Sequence, residues 1–457
     1  MRDLVTVILA AGAGTRMKSH TAKVLHKICG QPMLAYVMDA ARKAGSGEII
    51  AVLGHQAEQV KEAVKDVAFV LQEQQLGTGH AVMQARPLLE GKSGTVLVLY
   101  GDTPLITGDT LKQAYEVHLE SKNRVTVITA RVQDPTGYGR IVRDGDGRIR
   151  AIVEHKDATE EQRAIQEINS GMYFFEIPAL LKALDRLNNA NSQGEYYLTD
   201  TIEIILSDNG SAGAYLIGDS TEILGINDRI QLAEAERIMH DRIVQTHMKN
   251  GVTFILPETS VIAPQVEIGR DTVIYPGTIL EGSTRIGEQC VIGPYSRIVD
   301  STIGNDVHVM NSVILESEIR AKTKVGPFAY LRPGSKIGCN VKIGDFVEVK
   351  KSEIGDNTKV SHLTYIGDAQ IGRNVNLGCG VVVVNYDGVK KHKTVVGDYA
   401  FVGCNVNLVS PVEVKEHAYI AAGSTITEEV PAYSLAIARS RQTIISDWVK
   451  RKGLDKK

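Results

Sequence analysis

From Ile268 onward an aliphatic residue, commonly followed by glycine, recurs every six positions: Ile268, Ile274, Leu280, Ile286, Ile292 and Ile298. One-residue slips shift the beat without ending it. It runs on through Ile303, Val309 and Leu315, then Val325, Leu331, Ile337, Ile343 and Val349. Ile354, Val360, Ile366, Ile371, Leu377 and Val383 follow, and after a gap Val396, Val402, Leu408, Val414, Ile420 and Ile426. Three sixes make one triangular coil whose aliphatic side chains point inward while small residues occupy the corners. The expected fold is a left-handed parallel β-helix of about nine coils, roughly 45 Å tall at about 4.8 Å per coil. Within the gap, NYDGVKKHKT interrupts the beat, so a basic loop must leave the wall.

The chain before the repeat obeys other periods. Short apolar runs (VTVILA, EIIAVLG, VAFVLQ, TVLVLYGD, RVTVITARV) alternate with helical patterns such as Met33, Leu34, Val37, Met38 and Ala41, which stops at Gly45. Runs apolar throughout belong in a mostly parallel sheet covered on both faces, whose ligands sit at the carboxyl ends of the strands. GRIVRDGDGRIRAIVEH adds a hairpin turning at Asp144–Gly147. The expected organisation is an open α/β domain over 1–226, a linker helix over 227–250 capped by Asn227 or Asp228, and the β-helix with its tail over 251–457.

Composition narrows the partners. The 457 residues carry 51 basic against 54 acidic side chains, a net charge of −3, which argues against nucleic-acid or membrane binding driven by bulk charge. Cys29, Cys290, Cys339, Cys379 and Cys404 are odd in number and scattered, which fits a reducing compartment and excludes a disulfide framework or a thiolate zinc site. No apolar run approaches the roughly 18 residues a bilayer span needs, and the signal-like N-terminus is short with Asp3 offsetting Arg2. A cytoplasmic protein is expected.

LAAGAGTRM, residues 9–17, ends the first apolar run and precedes Lys23. It lacks the third glycine of a dinucleotide fingerprint and the GK[ST] of a P-loop. Glycines let backbone N–H groups approach a triphosphate, and Arg16 and Lys23 would neutralise the charge that builds on departing pyrophosphate. The stretch resembles the LxxGxGTRM…PK loop of sugar-phosphate nucleotidyltransferases, with Ala22 where proline is expected. QEQQLGTGHA, YGDTPLI, PTGYGRIV, IVEHKDA, EINSGMY, GEYYLTD and GINDR follow in order, then LRPGSKIG, GDFVEVKKSEIG, SHLTYIGDA and NYDG. Over essentially its whole length the chain resembles the family of bifunctional bacterial N-acetylglucosamine-1-phosphate uridyltransferases and glucosamine-1-phosphate acetyltransferases.

That resemblance implies roles. Uridine is expected at the backbone of Leu9, Ala10, Ala11 and Gly12 and at Gln72, with Gly77 and Thr78 closing over the base. Gly139, Glu154 and Asn169 would hold the N-acetylglucosamine moiety, and Tyr100 and Gly101 lie beside Asp102 at a strand end. Asp102 and Asn227 would ligate Mg²⁺, a cation that takes oxygen ligands. In the second half an ammonium must lose a proton before attacking a thioester, and His362 is the candidate base. Glu348, about one coil back, is expected to orient its ring. By resemblance Arg332, Lys350, Tyr365 and Asn376 bind the sugar phosphate, and Asn385, Tyr386, Ala422 and Arg439 contact acetyl-CoA. Cys379 and Cys404 stand in that donor site where alanine and serine are usual.

The implied activity is acetylation of glucosamine 1-phosphate, then uridylyl transfer from UTP giving UDP-N-acetylglucosamine and pyrophosphate for peptidoglycan and lipopolysaccharide precursors, in a homotrimer. Two other readings compete. One is a monofunctional nucleotidyltransferase with a structural or regulatory β-helix, as in ADP-glucose pyrophosphorylase-like chains, where that helix is usually short. The other is an interaction subunit of the kind found in the eukaryotic initiation-factor exchange complex, where the catalytic loop is lost. The long repeat with its His, Glu, Arg and Lys set, and the retained GxGTRM, Lys23 and Asp102, argue against both.

Overall fold

The computed structural model describes residues 4–191 and 193–456, and the chain divides into two compact units, 1–239 and 240–457. In the first unit the strands of the main sheet are β1 (Leu4–Ala10), β2 (Glu48–Leu53), β3 (Ala68–Leu71), β4 (Thr95–Tyr100) and β5 (Val125–Arg131). They continue with β6 (Arg140–Arg143), β7 (Ile149–Val153), β8 (Glu167–Glu176) and β9 (Ala212–Leu216). The main path runs β9-β5-β8-β4-β1-β2-β3, with β6 and β7 as a hairpin beside β8. All neighbours on that path are parallel except β8, which is antiparallel to β4 and β5, so the sheet is mixed. Its two faces bury separate clusters: Ile8, Leu97 and Leu99 pack on one, and Val7, Val52, Val96 and Val98 on the other. Burial on both faces is why these strands read as apolar runs rather than alternating ones. The carboxyl ends of β1 and β4 leave Ala10 and Tyr100 at one rim, and the candidate loops leave from there.

A helix spans Arg229–Lys249, and its first turn settles which of the two candidate residues caps it. Asp228 Oδ1 accepts from the backbone N–H of Ile230 and Gln231, each at 2.9 Å. The Asn227 carboxamide is therefore available for other work.

The second unit is a left-handed β-helix built from three parallel sheets of 11, 10 and 9 short strands. Most strands contribute one inward aliphatic side chain, and Ile274, Ile292, Ile314, Val349, Val360, Leu377 and Leu408 belong to one continuous core, each at most 2% exposed. Removing one such side chain to Ala costs about 2–5 kcal/mol, because a rigid rung cannot collapse onto the void. The ladder is slightly longer than the sixfold beat indicates. Thr253–Phe254 and Val261–Ile262 open the first two walls, and Leu435–Ala436 closes the first. Phe254 precedes Ile262 by eight positions rather than six, and Ala436 follows Ile426 by ten. The loop after Val384 closes as a small hairpin, with Tyr386 bridged to Lys391, before the wall resumes at Thr394.

Candidate active sites

The first site is a cavity of about 330 Å³ at the carboxyl ends of β1 and β4. Leu9, Ala10, Ala11, Gly12, Lys23, Gln72, Gly77, Thr78, Tyr100 and Asp102, all named from the sequence, line it. Gln75 and Glu195 also line it, and sequence reasoning missed both. Gln75 Nε2 donates to the Ala11 carbonyl at 2.6 Å, which fastens the far wall to the glycine loop. Gly14 adopts φ +61°, and a Cβ there would sit 2.8 Å from the Lys23 Cβ. Only glycine lets the loop fold this tightly over the lysine.

At the cavity's polar end Lys23 Nζ donates to Asp102 Oδ2 at 2.5 Å and to Asn227 Oδ1 at 2.8 Å. A backbone bond from Ile226 N–H to the Asp102 carbonyl (2.9 Å) brings the GIND segment to the strand end. Arg229 then ties the helix start to the loop, since its Nε donates to the Met17 carbonyl. Two oxygens from residues 125 positions apart thus already hold one positive charge. Among the described residues no cluster of three or more His, Cys, Asp or Glu side chains is placed to hold a metal. A cation at Asp102 and Asn227 would complete its shell from phosphate oxygens and water, as small hard cations do.

Ala22 has φ −53° and ψ 136°, the conformation a proline would take. Its N–H, which proline lacks, donates to Gln59 Oε1 at 3.1 Å. Alanine thus keeps a proline-compatible backbone and adds a hydrogen bond to Gln59. Arg16, by contrast, is exposed on the turn Thr15–Met17 and does not line the cavity, so Lys23 is the cation the structure brings to it. Gly101 lies behind the wall, its N–H donating to the Leu9 carbonyl at 2.9 Å.

Gly139, Glu154 and Asn169 converge beside Tyr100. A Cβ on Gly139 would lie 3.5 Å from both Glu154 Oε1 and Asn169 Cβ. Asn169 is fixed at both ends, its Nδ2 donating to Tyr173 Oη (2.7 Å) and its Oδ1 accepting from Gly171 N–H (2.9 Å). Burial raises the Glu154 carboxyl above its usual range, opposed by a hydrogen bond from Thr199. Thr199, a second kind of residue that sequence reasoning passed over, lies in the quoted GEYYLTD motif.

In the β-helix, register aligns the second site. Asp345 pairs with His362, Val360 with Leu377, Leu377 with Val402, and Val402 with Ile420. His362, Cys379, Cys404 and Ala422 lie two positions beyond Val360, Leu377, Val402 and Ile420, so they form one column along a corner. Three rungs, about 14 Å, separate His362 from Ala422. The chain then continues along the same wall: Ala438 N–H donates to Ser424 Oγ (3.1 Å), and Arg439 Cδ lies 3.7 Å from a Cβ built on Gly423. Arg439 therefore extends the column on its own prism.

Around the corner Arg332, Glu348, Lys350 and Tyr365 occupy the next wall. Here one expectation fails. Glu348 does not orient His362: its Oε1 accepts from Arg332 Nη1 at 2.9 Å. The imidazole Nδ1 instead meets Asp345 Oδ1 at 2.5 Å. Glu348 lies 14 residues before His362, short of a full coil, so the chain has turned onto another wall; Asp345 lies 17 before it, on the rung directly beneath. Lys391, from the ejected hairpin, stands against Lys350 and lowers that ammonium's pKa, a concentration of cations suited to an anion. Asn385 is buried and donates to Asp368 Oδ2 (2.6 Å), while Tyr386 is exposed and Asn376 half-buried.

Residues 5–220 match the nucleotidyl transferase family and residues 265–300 the bacterial transferase hexapeptide repeat. The molecule is therefore a two-unit transferase, a nucleotidyltransferase followed by a hexapeptide acyltransferase. Over 99% of both chains it is 63% identical to the bifunctional protein GlmU of Acetivibrio thermocellus. It is 58% identical to that of Caldanaerobacter subterraneus and 56% to that of Clostridium botulinum, at the same coverage. The chain belongs to the bifunctional GlmU family.

Proposed function

We propose that the β-helix acetylates glucosamine 1-phosphate from acetyl-CoA and that the α/β unit then joins the product, N-acetylglucosamine 1-phosphate, to UTP, releasing UDP-N-acetylglucosamine and pyrophosphate. The observation that supports this reading is the column His362–Cys379–Cys404–Ala422, which aligns the candidate base with the candidate donor residues on one corner, beside a wall that carries Arg332 and Lys350. A β-helix that merely held subunits together has no use for that arrangement.

In the first unit the sugar phosphate oxygen is itself the nucleophile, so alignment and charge stabilisation suffice. The Leu9–Gly12 backbone and Gln72 hold the uridine, Gly77 and Thr78 close over it, and Gly139, Glu154 and Asn169 hold the sugar. Lys23 stabilises the triphosphate, joined by Arg16 when the exposed turn meets the ligand. Asp102 and Asn227 offer the oxygen donors Mg²⁺ takes, and the bound ion supplies Lewis-acid charge to the phosphates. In the second unit Arg332, Lys350, Tyr365 and Asn376 hold glucosamine 1-phosphate. His362 takes the ammonium proton, the freed amine attacks the thioester carbon, and the C–S bond breaks when the tetrahedral adduct collapses. Asn385, Tyr386, Cys379, Cys404, Ala422 and Arg439 line the donor. Flat prism walls and an exposed tail suit a homotrimer acting in the cytoplasm; no helix of the described residues is long and apolar enough to cross a membrane.

The test supplies glucosamine 1-phosphate, acetyl-CoA, UTP and Mg²⁺ and follows free thiol and pyrophosphate separately. Both should appear. Pyrophosphate formed only from added N-acetylglucosamine 1-phosphate would leave a monofunctional nucleotidyltransferase.

The two thiols of the column give a further expectation. Cys404 is exposed and Cys379 half-buried, whereas Cys29 is buried and its thiol pushed up to about 12 by burial and the Glu236 carboxylate. Enzyme pretreated with N-ethylmaleimide and freed of excess reagent should therefore lose thiol release from acetyl-CoA while pyrophosphate release persists. Equal loss of both activities would contradict the donor-site assignment.

A further inference from the structure

The chain places Asp345 where the resemblance placed nothing. Its carboxylate meets His362 Nδ1 at 2.5 Å on the adjoining rung, within charge-assisted hydrogen-bond distance. The main chain repeats the tie, since Leu363 N–H donates to the Asp345 carbonyl at 3.0 Å. Behind the ring, Thr364 Oγ1 donates to the His362 carbonyl at 2.8 Å, and Gly380 N–H approaches the same oxygen at 3.4 Å. A Cβ at Gly344 would collide with the Ser361 carbonyl oxygen, so the residue before Asp345 must lack one for the two strands to close at this point. The strand pairing accordingly extends to Asp345 and His362. The hydrogen bond from His362 is the largest influence holding the Asp345 carboxyl below its usual range.

We infer that Asp345, not Glu348, is the positioning residue of acetyl transfer: it accepts the Nδ1 proton of His362 and thereby leaves Nε2 as the basic nitrogen facing the substrate. This rests on the assignment of His362 as base and identifies what makes it one. A histidine on an exposed corner has two tautomers and a free ring torsion, and each misplacement wastes encounters. Asp345 fixes both. When Nε2 takes the proton of the substrate ammonium, the carboxylate faces the resulting imidazolium, and the proton passes on to the departing thiolate of coenzyme A as the C–S bond breaks. Asp345 remains ionised throughout and exchanges no proton of its own. Glu348 acts elsewhere. Bound to Arg332 at 2.9 Å, it sets the guanidinium that meets the sugar phosphate.

The two carboxylates therefore separate in steady-state kinetics of thiol release by the full-length chain, with both substrates varied. Asp345→Asn keeps the size but loses the charge and offers an N–H where an acceptor is needed. Its kcat should fall about 100-fold, within the span that positioned acid–base groups supply, with KM for both substrates within about twofold. An unchanged KM for acetyl-CoA also reports an intact donor column. Glu348→Gln should instead raise KM for glucosamine 1-phosphate several-fold and leave kcat close to the parent. In a His362→Ala chain, adding Asp345→Asn should cost nothing more, because a residue that acts only through the ring has nothing left to position. Asp345→Asn with kcat within about threefold of the parent, or an additive loss in the His362→Ala background, would overturn the inference. If His362→Ala itself keeps full acetyl transfer, the base assignment falls and the inference with it. If His362→Ala is inactive and Asp345→Asn is not, the inference alone is wrong.

Discussion

Replacing His362 with alanine should reduce acetyl transfer by about 1,000-fold while UTP-dependent pyrophosphate release from N-acetylglucosamine 1-phosphate continues at the parental rate. The attacking amine arrives as an ammonium, and without an imidazole nothing at this corner removes its proton in the encounter. Glu348 cannot substitute, because it is engaged with Arg332, and Asp345 is held as a carboxylate below its usual range. Such a carboxylate is too weak a base for an amine. The two activities are read from one preparation, thiol for the first and pyrophosphate for the second. Parental thiol release by this variant at neutral pH would remove His362 from the reaction.

Asp102→Asn should do the converse, lowering uridylyl transfer by roughly 100-fold or more and sparing acetylation. Its carboxylate pairs with the Lys23 ammonium at the polar end of the cavity and shares that ammonium with the neutral Asn227. Removing the charge weakens the pocket for any cation. Binding of Mn²⁺ as a paramagnetic probe should weaken in parallel, measured without turnover. A variant that keeps the parent's rate and metal dependence would discard Asp102 as a ligand.

Most of the fold was open to reading in the sequence because it is periodic or local. Apart from the loop at 385–393, the hexapeptide beat assigns the residues from Ile268 to Ile426 to walls and corners, and the glycine loop and YGD motif end apolar strands that a buried sheet must hold. What escaped depended on counting across slips. Asp345 and His362 are 17 residues apart and both lie two positions past a beat residue, Ile343 and Val360, so the beat itself aligns them; a carboxylate chosen by approximate distance fell on Glu348. Gln75, Glu195 and Thr199 escaped for another reason. Each comes from a quoted motif, but only the folded loops decide which polar neighbour faces the cavity, as Gln75 and Glu195 do, or meets Glu154, as Thr199 does. Asn227 was ambiguous on paper, and the Asp228 cap resolved it.

The corner column has a consequence for how such an enzyme can vary. Distances along it come in whole rungs of about 4.8 Å, so the span from His362 to Ala422 is a whole number of steps and not a continuous quantity. A single inserted residue that the corners cannot absorb would carry every later side chain to the wrong facet. A full inserted coil would preserve every facet and lengthen the span by one step. Change of length in this half of the molecule is therefore confined to whole turns between His362 and Ala422, while the coils before Tyr330, which carry none of the groups assigned to acetyl transfer, are constrained only by their inward core side chains.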